Sequence, residues 1–282
     1  MKLALSNLAL PSQPDAATWR GLRQAGIAGI EVAPTRVASW DELTVERLLS
    51  YRKALEDEGL QVSSLQALCY GVPGLSLLGD AEGFDRLVAH LRRVFGMARG
   101  LAAKACVFGS PGVRKRGNLT RDAAFAMALP RLQELGRIAE AEGAVLGLEP
   151  VPPFYGADFL ETWQEVRSLV EAADTPGLRV HLDTGCVALG GGSIAEAVEA
   201  CASLLCHFHV AEPELGPIAE PSLDHAGGAA ALAAIGYQGW IAIEMRAPEP
   251  HNLHTLLRSV ETAEGFYGRV AGGRAGARVE GA

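Results

Sequence analysis

The chain lacks the marks of a disulfide scaffold, a nucleic-acid binder or a membrane protein. Its five cysteines, Cys69, Cys106, Cys186, Cys201 and Cys206, are odd in number, form no CxxC and lie mostly inside apolar runs. That pattern argues against a disulfide framework and for a reducing, cytoplasmic setting. Basic charge is in deficit, with 25 Lys and Arg against 33 Asp and Glu and a formal net charge of −8. The positive footprint needed to grip a nucleic-acid backbone or an anionic membrane is therefore missing, and a small polar substrate is the more natural partner. No apolar stretch is long enough to span a bilayer. The opening "MKLALSNLAL" is interrupted by Ser6 and Asn7 and has no convincing cleavage site, so it reads as a first strand and not as a signal peptide. "GGGS" at 190–193 lacks the Lys-Ser/Thr of a P-loop and reads as a flexible turn into a helix.

What is present is alternation. Short β-like runs fall near 2–9, 29–33, 61–69, 104–110, 144–150, 178–185, 204–212 and 240–245, separated by helical patterns over roughly 14–26, 41–59, 80–103, 120–143, 158–174, 193–203, 225–235 and 251–268. Glycine recurs just before a strand, as in "AGIAGIEV", "EGLQVSSL" and "EGAVLGLE", where a helix ends in a left-handed residue and the chain turns into the sheet. Strict βα alternation demands parallel strands with right-handed crossovers. Eight such units predict an α/β fold, a single (β/α)8 TIM barrel over residues 1–270 without a domain boundary. The tail at 271–282, "AGGRAGARVEGA", has no apolar periodicity and is expected to be flexible.

Several strands end on groups that a core strand has no use for. "AVLGLEP" carries Glu149, "LRVHLDTG" carries Asp183, "LLCHFHVAE" carries His209 and "IAIEMR" carries Glu244. The carboxyl face of such a barrel gathers the ends of its strands into one mouth, so these four converge. Three carboxylates and an imidazole crowded together repel one another unless a divalent cation or protonation neutralises them, and a cation is the simpler solution.

"GLEP", "HLDTG", "HFHVAEP" and "IAIEMR" together resemble the Glu, Asp, His, Glu metal site of the xylose isomerase-like TIM barrels, a superfamily of sugar isomerases, ketose 3-epimerases, inosose dehydratases and endonuclease IV. The resemblance covers nearly the whole chain. It implies that Glu149, Asp183, His209 and Glu244 hold one divalent ion, with Mn²⁺ first among Mn²⁺, Mg²⁺, Co²⁺ and Zn²⁺. It also implies that Glu149 and Glu244 exchange the substrate proton on opposite faces, by way of an enediolate. The expected activity is isomerisation or epimerisation of a sugar, cyclitol or related polyhydroxy ketone. A lyase that dehydrates a keto-inositol or cleaves a C-glycoside would use the same residues, and a non-catalytic sugar-binding barrel is the reading of a different class. Related barrels often pair or form tetramers, so a homo-oligomer is an expectation too.

This chain departs from the epimerase pattern at two places, Cys186 where a histidine is usual and Leu215 where an arginine is often found. The strands at "SLQALC" and "CVFGS" offer no histidine for the three-metal cluster of endonuclease IV.

Other polar residues are candidates for substrate contact. Asn7, Glu31 and Gln66 end the first three strands, suited to sugar hydroxyls or to a structural network. His207 lies two residues before His209 and on the same face of its strand, as a partner of the metal ligands or a substrate donor. His181 stands in the same relation to Asp183 and reads as structural. Glu212 and His225 bracket the long Pro-rich loop after the seventh strand, where function tends to reside. Arg114 and Arg116 could bind a phosphate or carboxylate but are expected in a solvated basic loop. Cys186 is expected to be buried and not nucleophilic.

Overall fold

A computed structural model describes residues 1–248 and 252–271. Eight parallel strands close on themselves in sequence order: β1 (Lys2–Ser6), β2 (Ile27–Val32), β3 (Gln61–Leu65), β4 (Ala105–Phe108), β5 (Val145–Leu148), β6 (Leu178–Asp183), β7 (Leu205–Val210) and β8 (Trp240–Ile243). Around them lie α1 (Ala16–Gln24), α2 (Val45–Asp57), α3 (Ala81–Leu101), α4 (Arg121–Ala141), α5 (Trp163–Ala173), α6 (Thr184–Leu189), α7 (Ile194–Ala200), α8 (His225–Ala234) and α9 (Leu253–Ala271). This is the (β/α)8 barrel that the alternation predicts. Parallel strands covered by helices on one face and by barrel filling on the other cannot alternate apolar with polar, and β4 accordingly reads ACVF with every residue buried.

The helices begin where short polar side chains satisfy free backbone N–H groups. Asp15 accepts from the amide of Thr18, Asp80 from Gly83, and Thr162 with Glu165 forms a capping box at the start of α5. They face the barrel with leucine-rich stripes such as Leu87, Leu91 and Leu101 on α3. Gly143 turns the chain from α4 toward β5 at φ +74°, a conformation that costs other residues more.

The strand ends differ from the sequence expectation in a consistent way. β1 stops at Ser6, not residue 9, because Ser6 accepts from the Leu8 amide and the chain turns into a 3-10 turn at Asn7–Ala9. β3 stops at Leu65, and the apolar residues Leu68 and Cys69 that lengthened the run are buried loop residues. In the sixth unit, the residues taken as the end of a strand to 185 start an additional helix, α6. α5 begins at Trp163 and not near 158, since the capping box fixes its first turn. Of the tail expected to be flexible, residues 272–282 lie outside the described residues, as does residue 251 of the last helical pattern. Among the described residues no helix is long and apolar enough to cross a membrane.

Candidate metal centre and active site

Each of the four strand-end groups is placed by backbone hydrogen bonding at the last rung of the barrel. The Glu149 amide donates to Phe108 O across β4 and β5, and the Glu244 amide donates to Val210 O across β7 and β8. Asp183 lies in register with His209 on the adjacent strand. Thr184 pins these two strand ends together, since its Oγ1 donates to Ala211 O at 2.6 Å and accepts from Ala211 N at 2.8 Å. Glu149, Asp183, His209 and Glu244 thus present ligand atoms that all lie within 4.8 Å of one another.

The interior of this cluster is short of positive charge and of donors. His209 Nδ1 faces Glu244 Oε2 at 2.9 Å and Asp183 Oδ2 at 3.7 Å. Asp183 Oδ1 accepts from the Cys186 amide at 2.6 Å, while its buried Oδ2 has no hydrogen-bond partner. Burial, reinforced by Asp183 and Glu244, pushes the Glu149 carboxyl up to about 8; burial and then Glu244 push Asp183 up to about 6. Carboxylates that resist ionisation, an orphaned oxygen aimed inward and one imidazole nitrogen turned to the same point are what a divalent cation would resolve, and mixed oxygen and nitrogen donors suit a borderline or hard ion. The residues therefore fit a divalent metal.

Behind the ligands stands a second layer. Glu31 on β2 is fully buried; its Oε1 accepts from Ser64 Oγ at 2.7 Å and lies 2.9 Å from His207 Nε2, and its Oε2 lies 2.8 Å from His209 Nε2. Burial pulls the His209 pKa down, but Glu31 and Glu244 outweigh it and hold the imidazole well above its ordinary value. For Glu31 burial acts upward and the two histidines prevail, so it stays well below the usual carboxylate range. A carboxylate on one ring nitrogen fixes the orientation of the other, which is how a ligand histidine is aimed. His181 packs edge-on against His209 at 4.1 Å between ring centroids, with its Nε2 3.7 Å from Glu149 Oε1. Gly109 leaves room on the opposite side, because a Cβ there would overlap Glu149 Oε2.

The residues expected to meet substrate have partners within the protein. Asn7 donates to Ala33 O and accepts from Ala33 N, Gln66 donates to Ser6 Oγ, and Glu31 and His207 form the layer just described. Glu212 accepts from the Ser222 amide and hydroxyl, and lies 2.7 Å from His225 Nε2; His225 Nδ1 meets Tyr267 Oη at 3.0 Å. These groups are too deep to rely on solvent, so protein partners take them up, and Glu212 with His225 braces the loop after β7 from beneath.

Arg116 sits as a bridge, donating to Asp158 O and Leu119 O. Arg114 is not in a solvated loop at all: it is 1% exposed. Cys186 is buried as expected, and burial, then Asp183 and Glu149, push its thiol pKa well up, the reverse of an activated nucleophile.

Three participants escaped sequence reasoning: Gly109, Thr184 and Tyr155. Tyr155 lies in the 3-10 turn Pro153–Tyr155 after β5, and its hydroxyl accepts from the Glu214 amide at 2.9 Å. It also feels Cys186, Asp183 and Glu244 strongly enough to lift its pKa, first through burial, to about 12. "PPFYG" marks a turn by its prolines and glycine, but nothing in it says which way the ring points.

A closed parallel barrel with a Glu, Asp, His, Glu cluster at its carboxyl mouth defines a TIM-barrel protein with a candidate metal centre. The profile of the xylose isomerase-like TIM barrel family matches residues 19–263, and the chain belongs to that family. It is 25% identical over 208 residues to an L-ribulose 3-epimerase of Mesorhizobium japonicum, a stretch that is 70% of this chain and 66% of that relative. Its fold is similar to that of D-psicose 3-epimerase with D-tagatose from Clostridium cellulolyticum H10, at TM-score 0.77 and 16% identity over 96% of this chain and 99% of that one. It is similar as well to the IolI protein with a binding zinc atom, at TM-score 0.70 and 16% identity over 96% and 98%.

Proposed function

We propose that this protein is a divalent-metal-dependent isomerase or epimerase of a sugar, cyclitol or related polyhydroxy ketone. The observation that carries the reading is that Glu149, just past β5, and Glu244, just past β8, bring carboxylate oxygens within 4.8 Å of each other and of Asp183 and His209 from well-separated strands of the barrel. Relatives named as L-ribulose and D-psicose 3-epimerases support the substrate class, and a zinc-bound structural neighbour supports a metal. Among the ions the donor set suits, Mn²⁺ is placed first, with Mg²⁺, Co²⁺ and Zn²⁺ as alternatives.

When bound, the ion supplies Lewis acidity at a carbonyl oxygen and so acidifies the neighbouring C–H. The chain's own residues do the rest. Glu149, held in a partly desolvated niche between Gly109 and His181, takes or returns the proton on one face. Glu244 serves the other face. Glu31 orients His209, and the turn bearing Tyr155 excludes water from above.

The test is solvent exchange. Manganese-loaded protein in deuterium oxide is expected to place deuterium beside the carbonyl of a ketose from a panel, and NMR of the products would expose any release of water or aglycone that signals a lyase. Glu244→Gln and Glu149→Gln are each expected to lower turnover by about 10²-fold or more, and each mutant should still exchange the proton of one epimer only. Near-normal turnover by Glu244→Gln at full metal occupancy would abolish the acid/base reading.

A further inference from the structure

Arg114 is an ion inside the protein with nothing to bind. It follows β4 in the segment "GSPGVRKRG", is 1% exposed, and none of its Nε, Nη1 and Nη2 atoms has an acceptor among the described residues. Other arginines of this molecule are not left so. Arg116, two residues on, donates to two backbone carbonyls, and Arg131 donates to Leu77 O at 2.7 Å. A buried charge without partners is strongly unfavourable and persists where something else supplies acceptors.

The place of Arg114 indicates what that is. Arg114 lies six residues past the end of β4, on the carboxyl face of the barrel where Gly109 abuts Glu149, and Glu149 is the acidic group whose field it feels most strongly. Arg114 is no more covered than Asp183, at 2%, or His209, at 1%.

The number of free donors indicates the chemistry. A guanidinium offers five N–H groups in a planar fork, and a sugar hydroxyl takes up one or two, whereas a carboxylate or phosphoryl group accepts a matched pair or more. The charge of the site agrees: Glu31, Glu149, Asp183 and Glu244 exceed a divalent cation by two negative charges, so an anionic group that enters needs the positive charge of Arg114 to offset their repulsion.

We propose that Arg114 is a specificity-determining residue that receives the carboxylate or phosphoryl group of an acidic polyhydroxy ketone whose carbonyl end lies over Glu149 and Glu244. This rests on the proton-transfer reading above and names the substrate class within it. The guanidinium is neither acid nor base here; it fixes the far end of the substrate and so the register of the reacting carbon.

Calorimetric titration of manganese-loaded protein at constant ionic strength tests it, with D-fructose as the neutral probe and 5-keto-D-gluconate and D-fructose 6-phosphate as the acidic ones. At least one acid is expected to bind about tenfold or more tightly than fructose, and Arg114→Met to reduce that preference at least tenfold, the scale of one charged hydrogen-bonded pair. Which acid is preferred separates carboxylate from phosphoryl recognition. Arg114→Lys, which keeps the charge without the fork, should recover part of the preference, and unchanged metal stoichiometry confirms that the variants are folded. Equal affinity for acid and neutral probes in the unaltered protein, no binding of either acid, or a preference that survives Arg114→Met each overturns the assignment. Deuterium exchange into the same probes keeps the two readings apart: acid preference without exchange sinks the epimerase and spares Arg114, while exchange into fructose alone does the reverse.

Discussion

Glu149 is held by an absence. Gly109, at the end of β4, has no side chain where Glu149 Oε2 lies, and a methyl group there would occupy the same space. Gly109→Ala is therefore expected to swing Glu149 out of the ligand cluster, lowering metal affinity and turnover by about tenfold or more while the strands stay paired. Metal titration and circular dichroism on the one variant check both halves. The clustering of Glu149, Asp183, His209 and Glu244 was legible in the sequence because each ends an apolar run at intervals of about one βα unit, a pattern that packing alone does not require. Gly109 was not, since its meaning is a clearance to a side chain forty residues away. Arg114 was misread for a related reason: nothing in "PGVRKRG" distinguishes an arginine folded under a loop from one reaching into water. Asn7 and Gln66 were placed at the right strand ends, but only the structure shows that their amides are taken by Ala33 and Ser6.

At the scale of elements, the sixth βα unit joins two tasks in one residue. Asp183 ends β6, caps α6 through Oδ1 and leaves Oδ2 without a partner among the described residues, the oxygen proposed to meet the metal. Asp183→Asn keeps an oxygen for the cap but puts an amide where the ligand oxygen stood. It should thus separate the tasks. The metal-free variant is expected to melt at the same temperature as the parent or above it at neutral pH, because a buried carboxyl pushed up to about 6 is costly to ionise there. The gain in melting temperature on adding Mn²⁺ should be largely lost. Differential scanning calorimetry with and without the ion reads both, and a variant that still gains the full shift would remove Asp183 from the ligand set. α6 itself could not be read from periodicity, since a helix of 6 residues leaves less than two turns of pattern and its first residues continue an apolar strand. The eight strands and the principal helices were legible because glycine and capping residues punctuate them.

For the whole molecule, the charged cluster links stability to pH and to metal. Glu149 and Asp183 have folded values of about 8 and about 6 against ordinary values of 4.5 and 3.8, so the metal-free fold binds their protons more tightly than the unfolded chain does. That contribution to stability is complete below the unfolded values and is lost as pH rises through about 6 and then about 8. His209, raised by Glu31 and Glu244, acts in the same direction; Glu31, lowered, acts oppositely in the acid range, and His181 and His207, both lowered, act oppositely up to their ordinary value of 6.5. A cation competes with the protons of Glu149 and Asp183. Between about pH 7 and about pH 8.5, above the range where the histidines oppose the trend, chelated protein should lose melting temperature while the added stabilisation by Mn²⁺ grows, each proton displaced appearing as uptake of base in a titration. Metal affinity independent of pH across that range would mean that the ion binds elsewhere.

Glu31 and His207, 2.9 Å apart, are separated by 176 residues of chain, and β1 must pair with β8 before the ring is complete. Contacts between such distant segments carry a large loop-closure entropy and form late in folding. The carboxylate that aims His209 thus comes from the first quarter of the chain and the ligands from the last half, so no fragment ending before β8 assembles the full coordination sphere. In refolding, cation uptake then acts as a clock for ring closure: helical signal can return early, but tight metal binding waits for the last strand to find the first.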